Sequence, residues 1–340
     1  MISLRSDQSL ETLILTDDEV KKLLSMDEVM KAVELAFKEK GLKQVQMPAK
    51  LYLFYRKYDG DLRAMPSYLE ALDVSAVKIV NVHPNNRTKY SLPTVMAVIV
   101  LVDPKTGGPM AIMGGSTITD MRTGASGGIA AKYLAKKDSK TVGLVGAGAQ
   151  ARTQLMSLLE VYGKLKEVRV WSRTKETVNA FIAEAEPKFK SRCQIVPLET
   201  VEETVKDVDI VVTTTPSKKP IVMKSAISSG THFNCIGADA PGKQELDPAI
   251  LKGAKIVVDD WEQASHSGEI NVPYSQGIIT KENVWAEIGE VVAGLKPGRE
   301  SSDEITAFIS TGLAVQDAVT AKIAYTNATE KKMGRFFKIV

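Results

Sequence analysis

Cysteine is nearly absent from this 340-residue chain, which has only Cys193 and Cys235. They lie far apart and form no Cys-x-x-Cys pair, so neither a metal knuckle nor a disulfide framework is expected. Two buried, reduced thiols in a cytoplasmic protein are the expectation. Histidine is as scarce: His83, His232 and His266 show no ligand spacing, and no metal site is implied. There is no Gly-x-Ser-x-Gly and no convincing nucleophilic cysteine. The longest aliphatic run, Val95 to Val102, falls far short of a membrane span. Met1 to Gln8 lacks the apolar centre of a secretory signal. No charge sign dominates either: 44 basic against 41 acidic residues leave a net +3. So small an excess argues against nucleic-acid or membrane-surface partners.

What is present is ordinary globular material, 44% hydrophobic and 25% charged, and long enough for about two domains. Thr16 and Glu19 stand at capping-box spacing before a first helix, and residues 26–40 show helical periodicity. Four short β-branched or alternating segments follow, at 50–55, 61–66, 76–82 and 94–102. Asp59-Gly60, His83-Pro-Asn-Asn86 and Thr106-Gly-Gly108 separate them, so they read as an antiparallel-rich sheet. A helix is expected over 124–137. From 141 the rhythm changes to strands at 141–145, 167–171, 194–197, 210–214, 231–236 and 256–259 with intervening helices, the pattern of a parallel doubly wound sheet. A last helix over 310–329 is expected to return to the first domain, because the α/β unit is complete without it.

The centre of that second domain is Thr141-Val-Gly-Leu-Val-Gly146-Ala-Gly148-Ala-Gln150-Ala151. An apolar strand, a Gly-x-Gly-x-x-Ala turn and a helix start form the context of a dinucleotide-binding loop. Gly146 permits the sharp turn, Gly148 lets backbone approach a pyrophosphate, and Ala151 keeps the helix near the sheet. The helix start presents unpaired N–H groups to the phosphates. The next strand ends in Trp171-Ser172-Arg173-Thr174-Lys175, without the acidic residue that takes a ribose 2′-hydroxyl. A hydroxyl and two cations suit a 2′-phosphate, so NADP(H) is favoured over NAD(H). The alternative is that Arg173 and Lys175 merely open a solvated helix. Thr213-Thr-Thr-Pro216 follows an apolar strand where a cofactor-facing loop belongs, or is a polar turn.

Three further residues invite chemistry. Lys78 interrupts a β-branched strand; it is either a proton carrier or a lysine on the exposed face. Arg63, alternating with Leu62 and Ala64, suits bidentate capture of a carboxylate, or is an exposed strand arginine. Asp239 follows an apolar strand at the edge where open α/β sheets place catalytic groups, so it can activate water; an Asx turn is the plain alternative. Arg122 sits at an expected helix start, a natural place to meet an anion.

Together these stretches resemble the ornithine cyclodeaminase/μ-crystallin family. The resemblance rests on Gly60-Asp-Leu-Arg-Ala-Met-Pro66, Val77-Lys78, Asn81-Val-His-Pro84, Leu92-Pro-Thr-Val-Met96 and Met121-Arg-Thr-Gly-Ala125. It continues through the Gly146 loop, Thr213–Thr215, Gly237-Ala-Asp239-x-Pro-Gly-Lys243-x-Glu-Leu246 and Glu287-Ile-Gly-Glu290. It runs from about residue 11 to 335, in the family's order, and is nearest to the archaeal-type alanine dehydrogenase branch. It implies a homodimer with two domains. One is an α+β substrate-binding and dimerisation domain (1–122 with 312–340), the other a Rossmann-type NAD(P) domain (123–311). It implies Lys78 and Asp239 as proton-handling residues. It also implies cofactor contacts from Thr94, Arg122, Gly146, Gly148, Ala149, Gln150, Ser172, Arg173, Thr174, Lys175, Thr213, Thr214, Gly237, Asp239, Lys243 and Ser310.

The departures from the family are informative. Cyclodeaminases look to carry glutamate where this chain has Arg63, and arginine repels a second ammonium, favouring a small monoamino acid. Lys50 stands where an arginine is common, and is expected beside Arg63 at the substrate carboxylate. Met113-Gly-Gly-Ser116 replaces an Asp-Ala-Thr-like run, and nothing is carried over from it. Aspartate at 239 leans away from the μ-crystallin branch, which looks to have serine. The resemblance therefore implies an L-amino acid dehydrogenase, most simply acting on alanine and pyruvate. Ornithine cyclodeamination, reduction of cyclic ketimines and a non-catalytic cofactor-binding role are the alternatives.

Overall fold

The computed structural model describes residues 11–340; the N-terminal stretch read above for a signal lies outside them. The chain forms two compact units. One takes the residues up to Val29, 44–119 and 314–340; the other takes 30–43 and 120–313. The expected first domain kept 30–43, but the end of helix Met26–Gly41 packs with the second unit. Lys40 there forms ion pairs with Asp260 (3.1 Å) and Glu287 (2.5 Å). The backbones of Gly41 and Gly289 approach too closely for a Cβ on either.

In the first unit the sheet runs Arg335–Lys338, Glu11–Leu15, Pro109–Gly114, Val95–Val102, Val74–Val82, Gly60–Leu69, Val45–Gln46, and Leu51–Tyr55 also pairs with Gly60–Leu69. All pairings are antiparallel except that of Glu11–Leu15 with Pro109–Gly114. The Thr16–Glu19 capping box opens helix Asp17–Leu23 as expected. Register decides the two faces. Arg63 lies opposite Val80, Met65 opposite Lys78, and Lys78 opposite Ile99, so these side chains share one face. Helix Ala314–Lys331 lies on that face, where Ala314 packs with Met65, Val80 and Ala97. The opposite face presents Leu51, Leu53, Ile79 and Val98 to solvent.

The main sheet of the second unit is parallel, in the order Gln194–Pro197, Glu167–Trp171, Thr141–Val145, Ile210–Thr213, His232–Cys235, Ile305–Ile309, Ala254–Val258, Val284–Glu287, and Lys218–Val222 pairs with Gln244–Leu246 in a separate small one. Separate apolar clusters flank the main sheet. Leu155, Leu158 and Phe181 belong to one, and Val205, Ile250 and Ala264 to the other, so helices cover both faces. The fold is thus α/β, with one unit built on a Rossmann-type doubly wound sheet and the other α+β. Strand order reverses next to Thr141–Val145, where its neighbours are Glu167–Trp171 and Ile210–Thr213; that is where such sheets bind ligands. Among the described residues no helix is long and apolar enough to cross a membrane.

Among the described residues seven strands escaped the sequence reading, four of them short or at sheet edges: Val45–Gln46, Lys218–Val222, Gln244–Leu246 and Arg335–Lys338. The others are Ile305–Ile309, Val284–Glu287 and Pro109–Gly114. Ile305–Ile309 is buried along its whole length and lies inside the sheet, so it shows no alternation. The last helix accordingly starts at Ala314 rather than 310. The helix expected over 124–137 spans Ser116–Leu134, which places Arg122 inside it and not at its start. Gly124, Gly127 and Gly128 lie within that helix, because a Cβ there would collide with Thr153, Gln154 and Ser157 of helix Ala149–Tyr162.

Candidate functional site

The first unit concentrates charge on the covered face of its sheet. Lys78 is 2% exposed, and its ammonium meets the carboxylate of Asp317 at 2.7 Å. Thr119 Oγ1 accepts a longer hydrogen bond from Lys78 Nζ, at 3.5 Å. Lys78 is therefore not a surface lysine. An ammonium so deeply buried needs a charged partner, and Asp317 supplies it from the C-terminal helix. Arg63 is also buried, which removes the exposed-arginine reading. Its Nε and Nη2 donate to the two carboxylate oxygens of Asp61, each at 3.0 Å, and its guanidinium lies 5.3 Å from the centre of the Tyr52 ring. Both contacts fix the plane of the fork. Arg63 and Lys78 are diagonal neighbours on adjacent strands, so the register brings together the two residues expected to meet a substrate. Lys50 is half-buried just before strand Leu51–Tyr55, which pairs with the strand of Arg63. Thr94 belongs to this unit as well, its carbonyl accepting from the His83 N–H at 2.8 Å.

The second unit carries the dinucleotide-binding features. Gly146 adopts φ +108°, with Thr214 where its Cβ would point. That conformation and that neighbour both demand glycine. Gly148 caps helix Ala149–Tyr162 without any side-chain hydrogen bond, and nothing lies within 4 Å of where its Cβ would be. Arg152 Nη1 donates to the carbonyls of Ala147 and Gly148, at 2.9 and 2.8 Å, and so turns the loop's amides outward. Gln150 Nε2 donates to Asp120 at 2.7 Å, while Gln150 Oε1 is buried with no partner. An uncapped helix start, an open glycine cradle and an orphaned acceptor fit a dinucleotide pyrophosphate and its ribose.

Around this cradle, Thr213 is buried and Thr215 donates from both N–H (2.6 Å) and Oγ1 (2.7 Å) to Glu245. Asp239 is 40% exposed and pairs with Lys243 at 2.5 Å, on the loop that Gly237 opens. Arg122 lies against Gly312, whose φ is +80° and which has no room for a Cβ. Asp259 holds that segment through the N–H groups of Thr311 (2.6 Å) and Gly312 (2.7 Å), and Ser310 N–H donates to the Cys235 carbonyl. After strand Glu167–Trp171, Arg173 is exposed and forms no ion pair among the described residues, whereas Lys175 pairs with Glu199 at 2.9 Å. Thr174 is the N-cap of helix Lys175–Phe189.

A match over residues 10–332 to the model of the ornithine cyclodeaminase/mu-crystallin family accompanies this geometry. The chain belongs to that family. Alanine dehydrogenase of Archaeoglobus fulgidus is 51% identical over 333 residues, covering 97% of this chain and 100% of its own length. The solved structure of an archaeal alanine dehydrogenase dimer with bound NAD superposes with a TM-score of 0.92, covering 97% of this chain and 100% of that one, again at 51% identity. Thermococcus litoralis Δ1-pyrroline-2-carboxylate reductase, solved with NADH and L-proline, is 41% identical with a TM-score of 0.91, covering 95% of this chain and 99% of that one.

Residues that sequence reasoning passed over are mostly acids supporting the named ones: Asp317, Asp61, Asp120, Asp259 and Glu245. Asp317 carried a visible signal, being an acid among Ala314, Val315, Ala318, Val319 and Ala321 on a helix whose buried side is mostly apolar. Replacing Asp317 by Asn strands the Lys78 ammonium in the interior and should lower the unfolding free energy by about 3 kcal/mol. Urea denaturation measures this, and unchanged stability would show that the pair carries no weight.

Proposed function

We propose that this protein is an NAD(P)-dependent amino acid dehydrogenase that interconverts L-alanine with pyruvate and ammonia. The observation that carries the proposal is the buried arginine at position 63, on the same sheet face as the buried Lys78. A buried cation there attracts the α-carboxylate and disfavours a substrate with a second ammonium, so a small monoamino acid is selected. The family relative from Archaeoglobus fulgidus, named an alanine dehydrogenase, supports the same choice.

When bound, a nicotinamide dinucleotide supplies the hydride acceptor for the substrate Cα. Arg63, oriented by Asp61 and Tyr52, holds the carboxylate together with Lys50. Lys78 Nζ, held by Asp317, passes protons to and from the substrate nitrogen. Asp239 takes a proton from the water that hydrolyses the imine. The amides after Gly146 and Gly148, with Ala149 and Gln150, hold the pyrophosphate. Thr94, Arg122, Thr174, Thr213, Thr214, Gly237, Lys243 and Ser310 complete the cofactor contacts. At the end of strand Glu167–Trp171, Ser172 and the exposed Arg173 favour NADPH through a 2′-phosphate, with Lys175 held back by Glu199. A second reading, reduction of a cyclic imine, is favoured by the likeness to the reductase solved with NADH and L-proline. Two copies are proposed to associate through Leu51, Leu53, Ile79 and Val98, which are 57%, 51%, 36% and 45% exposed on one apolar sheet face.

Purified protein mixed with pyruvate, ammonia and NADPH or NADH should oxidise the cofactor, read as loss of absorbance. Δ1-pyrroline-2-carboxylate consumed in place of pyruvate selects the second reading, and proline made from ornithine without net redox change selects cyclodeamination. Lys78→Ala should abolish turnover while dinucleotide binding persists; surviving turnover removes Lys78 from the reaction. Arg173→Gln should raise KM for NADPH about tenfold and leave KM for NADH within about twofold. Equal effects on both would withdraw the phosphate role. Leu53→Asp combined with Ile79→Asp should convert a dimer to a monomer in sedimentation; an unaltered mass moves the interface elsewhere.

A further inference from the structure

The second unit buries two carboxyl groups that the reaction above does not use. Glu245, on the short strand Gln244–Leu246, and Glu269, just before helix Asn271–Ser275, are both fully buried. Glu269 Oε1 accepts from the backbone N–H of Glu245 (2.8 Å) and of Leu246 (2.6 Å), so its carboxyl sits against the residue that bears the other one. Glu245 Oε1 accepts from Thr215 N–H and Thr215 Oγ1. The remaining oxygens, Glu245 Oε2 and Glu269 Oε2, are buried and have no hydrogen-bond partner. Neither carboxylate forms an ion pair with a lysine, arginine or histidine of the described residues.

Two adjacent carboxylates without a cation cannot both stay ionised in such surroundings. A proton held by either one removes that repulsion. We propose that Glu245 and Glu269 share a proton, and that this pair positions the loops following strands Ile210–Thr213 and His232–Cys235 for the dinucleotide. The connection to those loops is direct. Glu245 ties down Thr215, and its Oε2 lies 2.5 Å from where a Cβ on Gly237 would be, so Gly237 can seat against it only as glycine. Asp239 and Lys243 stand on the same loop as Gly237. Glu245 and Glu269 thus act as positioning residues, one layer beneath groups assigned to cofactor and catalysis. The inference rests on the dinucleotide reading of this unit.

Electrostatics agree with the geometry. Burial pushes the Glu245 carboxyl up to about 7, partly opposed by its hydrogen bonds to Thr215. Burial and then the charge of Glu245 push Glu269 well above its ordinary range. The nearby Cys235 thiol is raised by burial and by both glutamates. The other titratable groups on the surrounding elements are the buried His232, which burial pushes down to about 3, the exposed Lys218, Lys219, Glu262 and His266, the half-buried Asp247, and the Asp239–Lys243 pair. Both glutamates bind their protons more tightly folded than unfolded. For Glu245 the stabilisation is complete below the ordinary carboxyl value of 4.5 and is lost as pH rises through about 7.

Two measurements test this. Thermal unfolding of the protein without added nucleotide, from about pH 5 to about pH 8, should fall more steeply with pH for the unsubstituted chain than for Glu269→Gln, whose amide replaces the shared proton and does not titrate. Parallel curves would refute the shared proton. Titration with NADH and NADPH should then show Glu245→Gln binding within about twofold of the unsubstituted protein and Glu245→Leu at least about tenfold weaker. Unaltered affinity in Glu245→Leu refutes the positioning role. Failure of the unsubstituted protein to bind either nucleotide refutes the cofactor reading, and with it that role, while the unfolding curves still decide the proton.

Discussion

A buried ammonium cannot stand alone, and the first unit is arranged around that constraint. Lys78 sits in the middle of a strand whose inward neighbours, Met65, Val80 and Ile99, are apolar. The Coulombic partner that makes its burial tolerable comes from the far end of the chain, on helix Ala314–Lys331. That helix must therefore close over the sheet for the ion pair to exist. Ala314, Val315 and Ala318 bury its apolar side, and Asp317 is the charged residue buried with them, beside Gln316 and Thr320. Packing and charge pairing give the same answer, and so the chain's last helix belongs to its first sheet.

The second unit solves a different problem, which is to leave polar backbone unpaired where a dinucleotide can use it. Gly148 leaves the start of helix Ala149–Tyr162 without a side-chain cap, and Arg152 occupies the loop carbonyls from behind. Glycines in helix Ser116–Leu134 let it lie close against that same helix, so the cradle has a rigid floor. The threonines after Ile210–Thr213 and the loop after His232–Cys235 are held from below by acids, Glu245 among them. Hydrogen bonds to buried carboxyls are stiff and costly to break, which suits loops that must be in place before a ligand arrives.

The features visible in the sequence were those with a local cause. The capping box at Thr16 and Glu19, the glycine turn at Gly146, and alternation in the strand of Lys78 each depend on residues a few positions apart. Strand Ile305–Ile309 had no such signature. Its neighbours in the sheet come from distant segments and packed layers cover both faces, so its sequence is uniformly buried and carries no period. The helix of Arg122 was misjudged for a related reason. Its glycines fall inside the expected helix, as they do in the structure, but the turns before Gly124 were missed because Ser116 to Thr123 carry no apolar period that marks a start.

By itself the sequence determined the family, the α/β class, the dinucleotide turn, and the identity of Lys78, Arg63 and Asp239 as residues worth attention. These follow from motif, period and residue chemistry, which are properties of short windows. Tertiary structure alone decided that Lys78 is buried and what neutralises it. It also decided that Asp61 and Tyr52 orient Arg63, and that buried Glu269 holds the backbone of Glu245, which in turn holds Thr215. Burial and electrostatic pairing depend on which distant segments meet, and no window of sequence contains both partners.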